Sequence, residues 1–470
     1  MRTEATTSGQ DSHPLRVGMI SLGCAKNLVD GEVMMGHLTR AGVTLTADAA
    51  AADIVVVNTC GFITDAKRES IEAILEVADA RRAGRVQRLV VAGCMVQAYA
   101  EELKEEIPEI DAFIGLDELE DVVAAVRGLR DGGVPDQRGA LRVYDHHHPR
   151  VVSTSGYAYL KIAEGCNNPC SFCHIPAMRG RFRSRPTPDL VAEAMALEKQ
   201  GVQELVLIAQ DTTRYGEDLG LDHGLRRLVS ELLEWTSIPW IRFLYAYPAT
   251  LDPGLFRLMA SEPRFLPYLD LPLQHASRRV LKAMRRGGDA STYLRLIAEA
   301  RELVPDLALR TTFIVGFPGE GEEEFRELLR FVEAVRFDHL GAFAYSWQEE
   351  NPGAALADPV PAEVKQGRRA ELLELQQGIA LEHNRALVGR TMAALVAGPL
   401  PEMELLTEAR LARQAPEIDG SLLINDGTAP SGSLVEVTIT EAHPYDLVGR
   451  VDGVLRLPAP TAMRALPVRP

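Results

Sequence analysis

Residues Glu164 to Pro186 read EGCNNPCSFCHIPAMRGRFRSRP and set Cys166, Cys170 and Cys173 in a C-x-x-x-C-x-x-C pattern. A metal site that only braces a fold usually closes its coordination with four protein ligands. Three cysteines in one loop leave a position open, which reads as room for a small molecule. Two alternatives use zinc. His174 would complete a Cys3His site if Cys173 and His174 turned inward together, and a three-cysteine site would carry a catalytic water.

The loop follows YAYLKIAEG, the first of six candidate strands; the others are ELVLIAQD, WIRFLYAY, YLDLPLQ, LRTTFIVG and HLGAFAYS. Helical segments such as DLVAEAMALEKQG and EEEFRELLRFVEAV fall between several of them. Strand–helix alternation predicts a partial (β/α) barrel of parallel strands over 155–387, with helices outside and the cysteine loop at the face where barrel active sites form. EVKQGRRAELLELQQGIALEHNRALVG reads as one long helix leading out of it.

Upstream, VGMISLG (17–23), DIVVVNT (53–59) and RLVVAG (88–93) read as buried parallel strands. TDAKRESIEAILEVADARRAG has helical spacing, with Ile71, Ile74, Leu75 and Ala78 on one face. The expectation is a doubly wound parallel sheet over 16–140. Cys24, Cys60 and Cys94 each lie just past one of these strands, accompanied by Gly23, Gly61 and Gly93. Open parallel sheets bind ligands beyond their carboxyl ends. One strand-end cysteine is ordinarily a small buried residue, but three on one edge predict a shared metal centre, iron–sulfur or zinc by thiolate preference. Downstream, TMAALVAG, ARLARQAP, GSLLIND, SLVEVTITEA and DLVGRVDG read as short strands of a small β-barrel over 388–453. Residues 1–15 read as disordered, 141–154 as a linker and 454–470 as a disordered tail.

Composition sets outer limits. The 470 residues are 46% hydrophobic and 25% charged, ordinary for globular domains. No apolar run approaches the ~20 residues of a membrane helix, and the polar start MRTEATTSGQDSHP lacks a secretory pattern. The expectation is a cytoplasmic protein without membrane contact, whose six cysteines serve metal or chemistry rather than disulfides. A net charge of −16 disfavours phosphate backbones and favours basic partners.

The C-x-x-x-C-x-aromatic-C motif after the first strand of a partial barrel resembles that of the radical S-adenosylmethionine enzymes. The resemblance implies a 4Fe–4S cluster on Cys166, Cys170 and Cys173 whose open iron is chelated by S-adenosylmethionine, with Phe172 packed by the adenine. It extends over nearly the whole chain, since a three-cysteine domain, a radical domain and a TRAM-like barrel form the methylthiotransferase architecture. SLGCAKNLVDGE, NTCGFITDAKRESI, QDTTRYGEDLG, DLPLQHAS, TTFIVGFPGE and QAPEIDG resemble the branch of that family acting on ribosomal protein S12. The resemblance implies methylthiolation of an aspartate β-carbon, a second 4Fe–4S cluster on Cys24, Cys60 and Cys94, two molecules of S-adenosylmethionine per turnover, a sulfide source and an external electron donor such as a reductant protein. No protein acid or base is nominated as catalytic.

Other polar residues have plainer readings beside functional ones. Gln210 and Asp211, ending the second barrel strand, occupy a place where such enzymes contact the methionine amine. Gln274 and His275 follow a strand and would face the mouth, or be ordinary loop polarity. Gly316 and Gly319 would admit an adenine or ribose, or only form a turn. The alternation Arg179, Arg181, Arg183, Arg185 would hold a carboxylate or a partner, or form a solvated face. His146, His147 and His148 read as surface linker. From 388 to 453 there are ten acidic residues against four arginines, a net of −6. An RNA-binding module gains affinity from Lys and Arg, so the balance favours a basic protein such as S12, free or on the small ribosomal subunit, over tRNA. The alternatives are a tRNA adenosine methylthiotransferase and a non-catalytic iron–sulfur ribosome-assembly factor.

Overall fold

The computed structural model describes residues 15–48, 51–130, 133, 135, 143–357, 360–400 and 403–458. The disorder expected of 1–14, the tail from 459 onward and the linker residues 141 and 142 lie outside the described residues.

Five strands, β1 (Arg16–Ser21), β2 (Thr44–Thr46), β3 (Ile54–Thr59), β4 (Arg88–Gly93) and β5 (Ala112–Ile114), make one parallel sheet in the order β2-β1-β3-β4-β5. The continuous apolar run of β3 is buried along its whole length, as a strand covered on both faces must be. This order puts a topological switch point between β1 and β3, where Cys24 and Cys60 emerge. Helices α1 (Ala25–Arg40), α2 (Thr64–Arg82), α3 (Cys94–Glu106) and the short α4 (Val122–Val126) follow the strands. On α2 the buried stripe is Ser70, Ile74, Val77 and Ala78, while Ile71 and Leu75 are exposed. The expected apolar face was therefore rotated, because the small Ser70 packs inward against the Cys60 backbone.

The central domain begins with β6 (Tyr157–Lys161). The short antiparallel pair β7 (Ala163–Glu164) and β8 (Arg183–Ser184) then clasps the base of the cysteine loop, with α5 (Ile175–Arg179) inside the clasp. After α6 (Thr187–Lys199) come β9 (Glu204–Ile208), β10 (Trp240–Phe243), β11 (Tyr268–Asp270), β12 (Ala308–Val315) and β13 (His339–Ala344). They form two three-stranded parallel sheets, β10-β9-β6 and β11-β12-β13. Backbone bonds such as Ile241 N–H to Arg264 O, 2.7 Å, and Ala246 N–H to Asp270 O, 3.0 Å, carry one sheet into the next. The result is the expected open barrel.

Alternation along these strands divides two cores. Ala158, Leu160, Leu205 and Leu207 pack beneath the outer helices. Tyr157, Tyr159, Val206, Ile208, Trp240 and Tyr268 share a second core with Val29 and Val33 of α1 and with Leu395, Ala415 and Leu434 from the C-terminal part. Helix α1 is buried nearly all round, Lys26, Asp30 and Glu32 included, because it is covered by its own sheet and by the central barrel. The stretch 143–154, expected as a linker, is docked. Arg150 pairs with Glu32 at 2.6 Å and Glu193 at 2.7 Å, and Ser153 donates to Glu32. Of the three histidines there, His146 meets Asp189 and His148 meets Asp145.

The helix Ala362–Arg385 leads to β14 (Thr391–Leu400), β15 (Met403–Leu411), β16 (Leu422–Asp426), β17 (Leu434–Ala442) and β18 (Leu447–Arg456), a closed barrel in the order β14-β15-β16-β18-β17. ARLARQAP belongs to the strand only through Leu411. Its remainder opens the loop QAPEIDG, which lies against the central barrel instead. β18 runs to Arg456, so residues 454–456, expected in the tail, belong to this barrel. The tyrosine hydroxyls of Tyr157 and Tyr159 donate to Glu417 at 2.8 and 3.2 Å, and that of Tyr268 donates to Asp419 at 2.6 Å. Among the described residues no helix is long and apolar enough to cross a membrane.

Candidate active site between two cysteine trios

Cys24 precedes α1, Cys60 follows β3 and Cys94 opens α3. A β-carbon added to Gly23, whose φ is +92°, would stand 3.0 Å from the Cys60 sulfur, and one on Gly61 would meet the Cys94–Met95 backbone. The chain is thus free of side chains where the three thiols gather. Burial raises the Cys24 thiol, but the Lys26 and Arg179 cations outweigh it and bring it below its ordinary value. Burial and the neighbouring Cys24 raise Cys60. Burial pushes Cys94 up to about 12 in spite of Arg179.

The second trio belongs to one loop at the carboxyl end of β6. Cys170 is buried, and Cys166 and Cys173 are half-buried. Burial raises Cys166 and lifts Cys173 to about 12. Ser171 anchors the loop through its N–H to Met284 O and its hydroxyl to Ala283 O. Phe172 is half-buried beside it and packs on the central core. The carboxyl end of β9 holds the loop as well: Gln210 donates to Glu164 at 2.7 Å, and Asp211 accepts from Asn168 at 2.7 Å.

The two trios face each other across the domain boundary. His174, next to Cys173, approaches the Gly61 carbonyl at 3.3 Å through Nε2 and Asn351 at 3.1 Å through Nδ1, and it stacks on Phe62. Both ring nitrogens are engaged, so His174 does not complete a zinc site. Arg179 reaches further, with Nε 3.2 Å and Nη2 3.0 Å from the Cys94 sulfur. Its guanidinium also pairs with Glu164 at 3.0 Å and Asp30 at 3.2 Å, and Lys161 pairs with the same two carboxylates. All four charged side chains are buried. Such charges persist only when mutually paired and hydrogen-bonded.

Three further expectations change. Arg179 and Arg185 are buried in ion pairs and Arg183 is half-buried, so of the alternating arginines only Arg181 is exposed. His275 is fully buried, accepting from the Ser277 N–H, and does not face the mouth; Gln274 is half-buried at φ +70° in a bridge to Phe313. At Gly316 the space of a β-carbon is taken by the Lys365 stem, 2.3 Å away, so the close approach there is to protein rather than nucleoside; Gly319 is open. The Asp30–Lys161–Glu164–Arg179 network was missed. Its signals were a lysine ending the otherwise apolar strand YAYLK and an acidic residue on a buried helix, each of which demands a partner.

All six thiols are free. Among the described residues no three His, Cys, Asp or Glu side chains converge on a single metal ion. Two trios made of thiols alone have the donor chemistry of iron–sulfur groups.

An open (β/α) barrel with a three-cysteine loop on its first strand defines a class, and the comparisons agree with it. Residues 160–332 match the radical SAM superfamily, 16–115 match the uncharacterized protein family UPF0004 and 388–451 match the TRAM domain. The solved structure of the radical S-adenosylmethionine methyltransferase TsrM from Kitasatospora setae superposes with a TM-score of 0.54 at 17% identity, over 73% of this chain and 77% of that one, a likeness of fold. The ribosomal protein uS12 methylthiotransferase RimO of Anaeromyxobacter sp. (strain K) is 51% identical over 97% of this chain and 98% of its own length. Its counterpart in Koribacter versatilis (strain Ellin345) is 44% identical over 95% and 98%. The chain belongs to the RimO family of methylthiotransferases.

Proposed function

We infer that this protein is a radical S-adenosylmethionine methylthiotransferase acting on ribosomal protein uS12, and that it places the methylthio group on an aspartate β-carbon. The observation that carries this reading is the face-to-face arrangement of two cysteine trios, joined by Arg179 and His174. Cys166, Cys170 and Cys173 would hold one 4Fe–4S cluster, and Cys24, Cys60 and Cys94 another. When bound, the clusters and S-adenosylmethionine supply the radical, methyl and sulfur chemistry that side chains lack for an unactivated C–H bond. The chain's own residues hold and orient. Glu164 and Asp211, gripped by Gln210 and Asn168, fix the loop beside which Phe172, Gln274 and Gly319 line the place of the nucleoside. Lys26 and Arg179 bring cations to the Cys24 thiol, suiting an anionic sulfur donor. An external reductant supplies electrons.

The barrel supports a basic protein substrate. Of its five arginines, Arg410 and Arg413 turn inward to Glu204 and Asp338, leaving Arg390, Arg450 and Arg456 exposed among exposed Glu417, Asp426, Glu436, Glu441 and Asp452. That surface repels a phosphate backbone. Mass spectrometry of uS12 and of bulk tRNA from a strain lacking the gene is the direct test: loss of the modification from uS12 with unchanged tRNA is expected, and the reverse would overturn the substrate assignment. Anaerobically reconstituted protein should carry about eight irons and release 5′-deoxyadenosine from S-adenosylmethionine on reduction.

A further inference from the structure

Arg179 is carried by α5, inside the clasp of the radical loop, yet both Nε and Nη2 end on the sulfur of Cys94, a residue of the other domain. The charge count around it is informative. Asp30 and Glu164 balance Lys161 and Arg179 among themselves, so no unpaired carboxylate requires the guanidinium to extend toward sulfur. A planar guanidinium offers five donors in a fixed fork. Here Nη1 serves Glu164 and Asp30, Nη2 is shared between Asp30 and Cys94, and Nε is given to sulfur alone. With Arg179 and Cys94 both buried, solvent does not screen the contact. Hydrogen bonds to cluster sulfurs and positive charge beside them are among the levers that set an iron–sulfur potential.

We propose that Arg179 is a positioning residue for the N-terminal trio: the radical domain lends it to Cys94 as a double donor, raising the reduction potential of the cluster held there and making that potential depend on the docking of the two domains. The proposal rests on the two-cluster reading above. Removal of the guanidinium lowers the potential, whereas removal of a carboxylate that offsets it raises the potential. A merely structural role for Arg179 would not lower the potential of the N-terminal centre while leaving the other centre unmoved.

The test uses the full chain, reconstituted anaerobically, as wild type, Arg179→Met, Arg179→Lys and Asp30→Asn. Each is poised at a series of potentials and followed by electron paramagnetic resonance, the signal of the N-terminal centre being the one lost in Cys60→Ala. Arg179→Met should shift the reduction equilibrium of that centre at least tenfold toward the oxidised form, about 59 mV for one electron, with the other centre unmoved. Arg179→Lys should fall between, and Asp30→Asn should shift the centre the opposite way. An unmoved N-terminal midpoint in Arg179→Met protein that retains about eight irons, or equal movement of both centres, would overturn the proposal. Should Arg179→Met fail to load, Arg179→Lys decides: a lowered midpoint at the N-terminal centre with the other centre unmoved supports the proposal, and an unmoved one overturns it. Wild type with about four irons and one signal sinks the two-cluster reading itself, a failure visible before any variant is made.

Discussion

Cys24, Cys60 and Cys94 hang from three strand ends of one parallel sheet, whereas Cys166, Cys170 and Cys173 share a single loop between β7 and α5. The first trio is assembled by long-range packing. Its spacing is the spacing of β1, β3 and β4, and its glycines keep the approach clear. The second is assembled locally, by the β7–β8 clasp and the Ser171 anchors. Their electrostatics differ in the same sense. Lys26 and Arg179 flank the sheet-edge trio, while the loop trio has Asp211 near Cys166 and Arg286 at 3.7 Å from Cys170. On the proposed function, an edge with cations beside Cys24 would suit a centre that takes an anionic ligand. A loop pinned at both ends suits one that must wrap a larger organic cofactor.

The strongest way to break this contrast is to disable one trio at a time. Cys170→Ala should abolish reductive cleavage of S-adenosylmethionine, and Cys60→Ala should preserve cleavage yet block sulfur insertion, both read by chromatography of 5′-deoxyadenosine beside mass spectrometry of uS12. Equal loss of cleavage would contradict the division of labour. Next come the glycines. At Gly93, φ is +95° and an added β-carbon would sit 2.6 Å from the Thr59 carbonyl. Gly93→Ala should therefore displace Cys94 and cut bound iron from about eight to about four, with cleavage retained. At Gly165, φ is +76° and the clash is with Arg181 O at 2.3 Å, so Gly165→Ala should lose the other half of the iron.

Lys161→Met tests the boundary between the trios. It leaves Asp30 and Glu164 with Arg179 as their one cation, and stranding a buried charge costs about 3–5 kcal/mol, measurable as a lower urea midpoint. The smallest effect belongs to the outer rim, where Tyr99 and Lys67 bond Glu350 of the loop after β13. Burial raises the Glu350 carboxyl, but these bonds outweigh it and hold it at about 2 against an ordinary 4.5. Because the folded value is depressed, the contribution is complete above about pH 4.5 and lost as pH falls toward 2. For so exposed a pair it should not exceed about 1 kcal/mol. Glu350→Gln should accordingly narrow the difference between unfolding midpoints at pH 5 and pH 3.

The sequence made legible whatever is periodic or local. The six barrel strands, the three cysteine-bearing strands and the helices Glu322–Val335 and Ala362–Arg385 all carry their own pattern. The edge strands β2 and β5 are three residues each, too short for a period to register. The cysteines were readable because each ends a strand. The ion network was not, because Asp30 and Arg179 stand 149 residues apart and nothing local announces which buried charge will meet which. The arginine alternation misled for a related reason: Arg179 and Arg185 were judged by their neighbours in sequence rather than by the carboxylates folded against them.

The loop QAPEIDG ties the last barrel to strands β6 and β11 of the central one through Glu417 and Asp419. A chain ended near residue 387 would expose Tyr157, Tyr159 and Tyr268 to water and leave the Arg310 guanidinium with Asp270 alone, without Asp419 at 3.3 Å. What resembles a detachable accessory module completes the core of the central domain, and a shortened enzyme made to study the radical half alone would be built without it.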